Sequence, residues 1–131
     1  MDLVEFKDSR IKAEFDGLPL PDTDTKIDPR LRGVLLELGD WCLDNGIAVP
    51  YITCILRTAK ENTGTPGSNP QSAHLSGRAA DLRTMHGRYL REQIEKIVEH
   101  LKNTWGTVFL HVLYHDSGGG AHIHLNINYG Q

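Results

Sequence analysis

The stretch that closes the chain constrains it most. From residue 122 onward, Ile123, Leu125, Ile127 and Tyr129 alternate with His122, His124, Asn126 and Asn128. Successive side chains of a strand point to opposite faces, so the apolar set shares one face and the His/Asn set the other. Such a strand belongs in a sheet with one buried side and one polar, working side, the habit of antiparallel sheets.

The rest of the chain supplies cover for the buried side. Asp28-Pro29 is a good helix start, because Asp caps free amides and Pro suits the first helical position. Leu31, Val34, Leu35, Leu38 and Cys42 follow at helical spacing and Asn45-Gly46 stops them, which predicts a helix over residues 29 to 45. A second helix is predicted over residues 87 to 103, with Leu90, Ile94, Ile97, Val98 and Leu101 as its apolar stripe. Strands are predicted at 50 to 57, with Ile52, Cys54 and Leu56 on one face and Thr53, Ile55 and Arg57 on the other. Ala79 to Arg83 reads as a short strand, with Ala80 and Leu82 inward and Asp81 outward. Residues 107 to 115 and 122 to 129 form a hairpin around Asp116-Ser117-Gly118-Gly119-Gly120. Residues 59 to 71 read as a polar loop, punctuated by Gly64, Pro66, Gly67 and Pro70. Residues 1 to 27 read as an irregular N-terminal arm with a short strand at Val4 to Phe6, and residues 28 to 131 as the functional domain. The expected class is α+β: a mainly antiparallel sheet, helices on one face and a cleft on the other.

Composition excludes some partners. A formal charge of -3 on 131 residues gives no basic footprint for nucleic acid. No apolar run approaches the roughly 20 residues that span a bilayer, so no membrane partner is expected. Met1-Asp2-Leu3-Val4-Glu5 is acidic and lacks the pattern of a signal peptide. Cys42 and Cys54 both fall in apolar patterns and read as two buried free thiols.

His74, Asp81 and the pair His122 and His124 offer metal donors on what should be one face of the sheet. Zinc accepts imidazole and carboxylate ligands, and a catalytic zinc keeps a fourth position open for water. His86, His100, His111 and His115 read as ordinary surface or structural residues.

Ser72-Ala73-His74-Leu75-Ser76-Gly77-Arg78-Ala79-Ala80-Asp81 resembles the SxHxxGxAxD signature of the M15 zinc peptidases, matching at Ser72, His74, Gly77, Ala79 and Asp81. That family includes D-Ala-D-Ala carboxypeptidases and L-Ala-D-Glu endolysins. Ile52 to Thr58 is similar to the family's strand ending in a functional Arg, without its usual Ser-Gly-Tyr. His122-Ile123-His124 is similar to the HxH motif of the wider LAS metallopeptidase group. The resemblance spans about residues 28 to 129 and implies the LAS-type fold, also seen in hedgehog-type domains. It implies His74, Asp81 and His124 as ligands of Zn2+, Arg57 against the substrate carbonyl or oxyanion, and Ser72 in support. Many M15 enzymes carry a Glu three residues before the last ligand. Ala121 stands there in this chain, so His122 becomes the candidate proton-handling residue, with Asp116 or His115 as alternative or orienting partner.

The function implied is hydrolysis of a peptide bond in the peptidoglycan stem peptide by a monomer. A lysin-like protein made in the cytoplasm without a signal peptide and acting on the cell wall fits that reading. Two rivals stand beside it. One is a non-catalytic zinc-binding module that recognises a wall peptide or a protein partner. The other is a metal-free α+β domain with incidental histidines.

Overall fold

The computed structural model describes residues 2–65, 72–116 and 120–128. In chain order the elements are β1 (Glu5–Phe6), α1 (Ser9–Phe15), α2 (Pro29–Asp44), β2 (Tyr51–Cys54), α3 (Ala59–Thr63), a 3-10 turn (Ala73–Ser76), β3 (Ala79–Arg83), α4 (Arg91–Trp105), β4 (Leu110–Asp116) and β5 (Ala121–Ile127). The five strands make one sheet in the order β1-β2-β3-β5-β4. β1 runs parallel to β2, and the other three pairings are antiparallel, so the class is α+β with a mixed sheet.

α2 begins and ends where its signals lie. Asp28 accepts a hydrogen bond from the Arg30 amide at 2.8 Å, Pro29 opens the first turn and Asn45 caps the end. Leu31, Val34, Leu35, Leu38 and Cys42 are fully buried. They face Ile52, Ala80, Leu82, Leu110, Val112, Ile123, Leu125 and Ile127 in one core, which Ile94, Ile97 and Leu101 of α4 complete. Burying each such side chain is worth about 1.5–3 kcal/mol, and this shared layer fixes which side of the sheet looks outward.

Several expectations shift. The N-terminal stretch carries a helix, α1, that weak periodicity concealed. Val4, Ile11, Phe15, Leu20 and Ile27 join the same core as the rest of the chain. α4 starts at Arg91, not near residue 87, because His86 and Gly87 have φ of 62° and 75°, outside helical space. Leu90 therefore precedes the helix and is 62% exposed, so it drops out of the apolar stripe. The predicted loop at 59 to 71 begins with a one-turn helix, α3, held by a capping box between Thr58 and Glu61. Tyr129 and the middle of the β4–β5 connection lie outside the described residues.

The largest departure is in β2. Its register against β3 slips between Ile52 and Cys54: Ile52 faces Leu82, while Cys54 faces Asp81. One extra residue in a strand is a β-bulge, and it reverses the inside/outside order beyond it. Cys54 turns to the polar face and Ile55 is buried, 1% exposed, while Leu56, past the end of the strand, is buried as expected at 3%.

Candidate metal centre

Asp81 sits mid-strand in β3, with His124 of β5 opposite it on one side and Cys54 of β2 on the other. Its side chain is 10% exposed, and three imidazoles and one guanidinium surround it. His124 Nδ1 lies 3.0 Å from Oδ1 and His74 Nε2 lies 3.2 Å from Oδ2. Arg57 Nη2 stands 3.5 Å from Oδ2, and His122 Nε2 stands 3.9 Å from Oδ1.

The turn carrying His74 explains the residues around it. Ser72 Oγ accepts a hydrogen bond from the His74 amide at 3.3 Å and so caps the 3-10 turn. Gly77 closes the turn at φ 73°, and a Cβ there would run into the backbone carbonyl of Lys26. Only glycine meets both demands. Asp28 N donates to Gly77 O at 2.8 Å, fastening the turn to the start of α2. Arg57 follows β2, and its Nη1 donates to Asn62 Oδ1 of α3 at 3.3 Å, which aims the guanidinium at Asp81.

Hydrogen bonds on the far side of each ring fix which nitrogen faces the carboxylate. His74 Nδ1 lies 2.8 Å from the Ile55 carbonyl oxygen. A carbonyl only accepts, so Nδ1 carries the hydrogen and Nε2 faces Asp81. His122 follows the same rule, with Nδ1 2.9 Å from Gly120 O. For His124 the constraint arrives through two amides. Asn128 Nδ2 donates to the Thr107 and Val108 carbonyls, so Asn128 Oδ1 accepts from Asn126 Nδ2 at 3.2 Å. Asn126 Oδ1 is then left to accept from His124 Nε2 at 2.9 Å. Nδ1 of His124 faces Asp81.

A bare imidazole lone pair opposed to a carboxylate oxygen at 3.0–3.2 Å is repulsive. Each ring must therefore carry a second proton or share a cation with Asp81. A proton meets that need at His74. Burial disfavours the charged form of His74, but the Asp81 and Cys54 contacts outweigh it and push its pKa up to about 10. Burial also opposes ionisation of Asp81, yet His124 and His74 hold its carboxyl well below the usual range. A metal ion meets the same need with neutral rings whose outer nitrogens are already anchored, the arrangement typical of ligating histidines.

One donor atom each from Cys54, His74 and Asp81 lie within 4.8 Å of one another, a group that could hold a metal ion. Sulfur, imidazole and carboxylate together favour a borderline transition ion over magnesium or calcium.

The structure thus brings His74, Asp81, His124, Arg57 and His122 to one place, with Ser72 touching the His74 backbone and not its ring. Asp116 ends β4 opposite Ala121, and its side chain lies outside what is described. His115 stacks on His122, ring centroids 5.3 Å apart. His100 instead pairs with Glu37 at 2.7 Å and stacks on Trp41, a structural role. Sequence reasoning missed Cys54, which a strict alternation from Ile52 placed on the core side. It put Asn126 and Asn128 on the working face without giving them a task.

Compared with protein-family models, with curated proteins and with solved structures, the chain matches none.

Proposed function

We propose that this chain is a zinc-dependent peptidase of LAS-type fold. Its substrate is a peptide bond of the D-Ala-D-Ala or L-Ala-D-Glu kind in the stem peptide of bacterial peptidoglycan. The observation that carries the reading is the convergence of His74 and His124 on the buried Asp81 carboxylate, each ring anchored through its other nitrogen. The match of Ser72 to Asp81 with the M15 signature supports the choice of zinc and of the cell wall.

His74, Asp81 and His124 would hold the ion. When bound, zinc supplies Lewis acidity, which polarises a carbonyl and lets water ionise near neutral pH. His122 Nε2, with Nδ1 fixed on Gly120 O, accepts the proton of the attacking water and returns it to the leaving amine. Arg57, held by Asn62, offers its guanidinium to the oxyanion that develops on the scissile carbonyl.

Cys54 favours one other reading. A fourth protein donor would close the site, as in structural zinc centres, and leave a module that binds wall peptides without cutting them. Digestion of purified peptidoglycan by the zinc-loaded protein, read by mass spectrometry beside His124→Ala, separates the two. New peptide termini with the wild type alone establish the peptidase and name the bond. Unchanged muropeptides from the zinc-loaded wild type would defeat it.

A further inference from the structure

Around Asp81 stands one donor for which hydrolysis has no use. We infer that Cys54 is a fourth protein donor to the ion, that it closes the centre in the resting protein, and that the thiol withdraws to admit water and substrate. The inference rests on the proposed zinc centre and concerns its regulation.

Placement is the first support. The bulge between Ile52 and Cys54 puts Cys54, and not Thr53, opposite Asp81. Without it the sulfur would enter the apolar layer beside Ile52, where a small hydrophobe packs well. Bulges re-aim side chains next to functional sites, and this one delivers a thiol to the face that carries His74, Asp81 and His124.

Distance is the second. Cys54 Sγ lies 3.6 Å from His74 Nδ1, and the donors of Cys54, His74 and Asp81 all fall within 4.8 Å of one another. His74 Nδ1 is committed to Ile55 O, so His74 would hold the ion through Nε2, the nitrogen that faces Asp81. The Cys54 thiol would turn toward that side by rotation about Cα–Cβ, from a start within 4.8 Å of the other donors. On ligation the S–H proton leaves to solvent and the sulfur lone pair forms the new bond.

Number is the third. His74, Asp81 and His124 make three donors, the count of an open catalytic site, and Cys54 makes four, the count of a closed one. Cys54 is only partly buried, so the thiol has room to leave. Cys42, the other cysteine, is fully buried in the helix–sheet core and reaches none of these donors.

The test uses cobalt(II), which reports sulfur ligation by a thiolate-to-metal charge-transfer band in the near ultraviolet. The metal-free full chain is titrated with cobalt and its absorbance followed, alongside Cys54→Ser and Cys42→Ser. The wild type and Cys42→Ser should develop the band with one cobalt bound. Cys54→Ser should bind cobalt at least about tenfold more weakly, without the band, and with an unchanged circular dichroism spectrum. Stoichiometric cobalt with no charge-transfer band in the wild type overturns the role of Cys54 and leaves the zinc-peptidase reading standing. No cobalt bound at all overturns both.

Discussion

Asp81 and His124 are direct partners in the register of β3 and β5, and Asp81 Oδ1 stands 3.0 Å from His124 Nδ1. Neighbouring strands thus set the geometry of two of the proposed ligands with no loop involved, and a site built on a sheet is held more rigidly than one on loops. His74 alone of the three comes from a turn, and that turn is short, capped by Ser72 and closed by Gly77.

Arg57 touches the Asp81 carboxylate only at the outer limit of a hydrogen bond, 3.5 Å. Its proposed task lies in the transition state. Arg57→Ala should lower kcat by about 10²–10³, the usual cost of one oxyanion donor, while zinc content stays at the wild-type level. Loss of zinc in that variant would instead make Arg57 a structural counter-charge.

Asn126 transmits the orientation of two backbone carbonyls to His124 Nε2. Asn126→Leu removes the acceptor and frees the ring to adopt the wrong tautomer. Zinc affinity measured by competition with a chromophoric chelator should fall roughly 10- to 100-fold with the fold intact. An unchanged affinity would remove the relay from the account.

Gly77→Ala should destabilise the chain by roughly 2 kcal/mol or more, since the new Cβ meets the Lys26 carbonyl at a positive φ. Urea denaturation gives the number. A cost under about 0.5 kcal/mol would show that the turn relaxes without glycine.

Glu61 ties α1 to the start of α3. Its carboxylate accepts from Arg10 at 2.7 and 2.9 Å and from the Thr58 amide at 3.0 Å, which lowers its pKa from 4.5 to about 2. The folded pKa is depressed, so the stabilisation is complete above pH 4.5 and fades as pH falls toward 2. Both partners are well exposed, so solvent screening limits the contribution to about 1 kcal/mol or less. Glu61→Gln should therefore lower the urea midpoint slightly at neutral pH, and its gap from the wild type should narrow between pH 4.5 and 3. A gap independent of pH would assign the effect to the capping box of α3 and not to charge.

Much of this architecture was legible in the residues, and the failures have physical causes. α2 was readable because Asp28, Pro29 and five apolar residues at helical spacing all agree. β3 was readable because Ala80 and Leu82 alternate with Asp81 and Arg83, and the β5 alternation gave the two faces of the sheet outright. α1 was hidden because seven residues hold only Ile11 and Phe15 as an apolar pair, and its buried Glu14 looks like a surface residue until it accepts the Leu56 amide at 3.1 Å. The face of Cys54 was unreadable in principle from alternation: a bulge inverts the pattern, and nothing in Tyr51 to Cys54 announces it. The anchoring of the histidine rings was equally hidden, since it depends on the carbonyls of Ile55, Gly120, Thr107 and Val108, which carry no side-chain signature.

The central claim is that the donors around Asp81 hold one metal ion, and metal stoichiometry tests it most directly. The metal-free protein, equilibrated with zinc and freed of excess, is analysed for zinc per chain beside Asp81→Asn. One zinc per wild-type chain, with most of it lost in Asp81→Asn at unchanged secondary structure, is the predicted result. A wild type that retains no zinc, or an Asp81→Asn variant that retains as much, would contradict it.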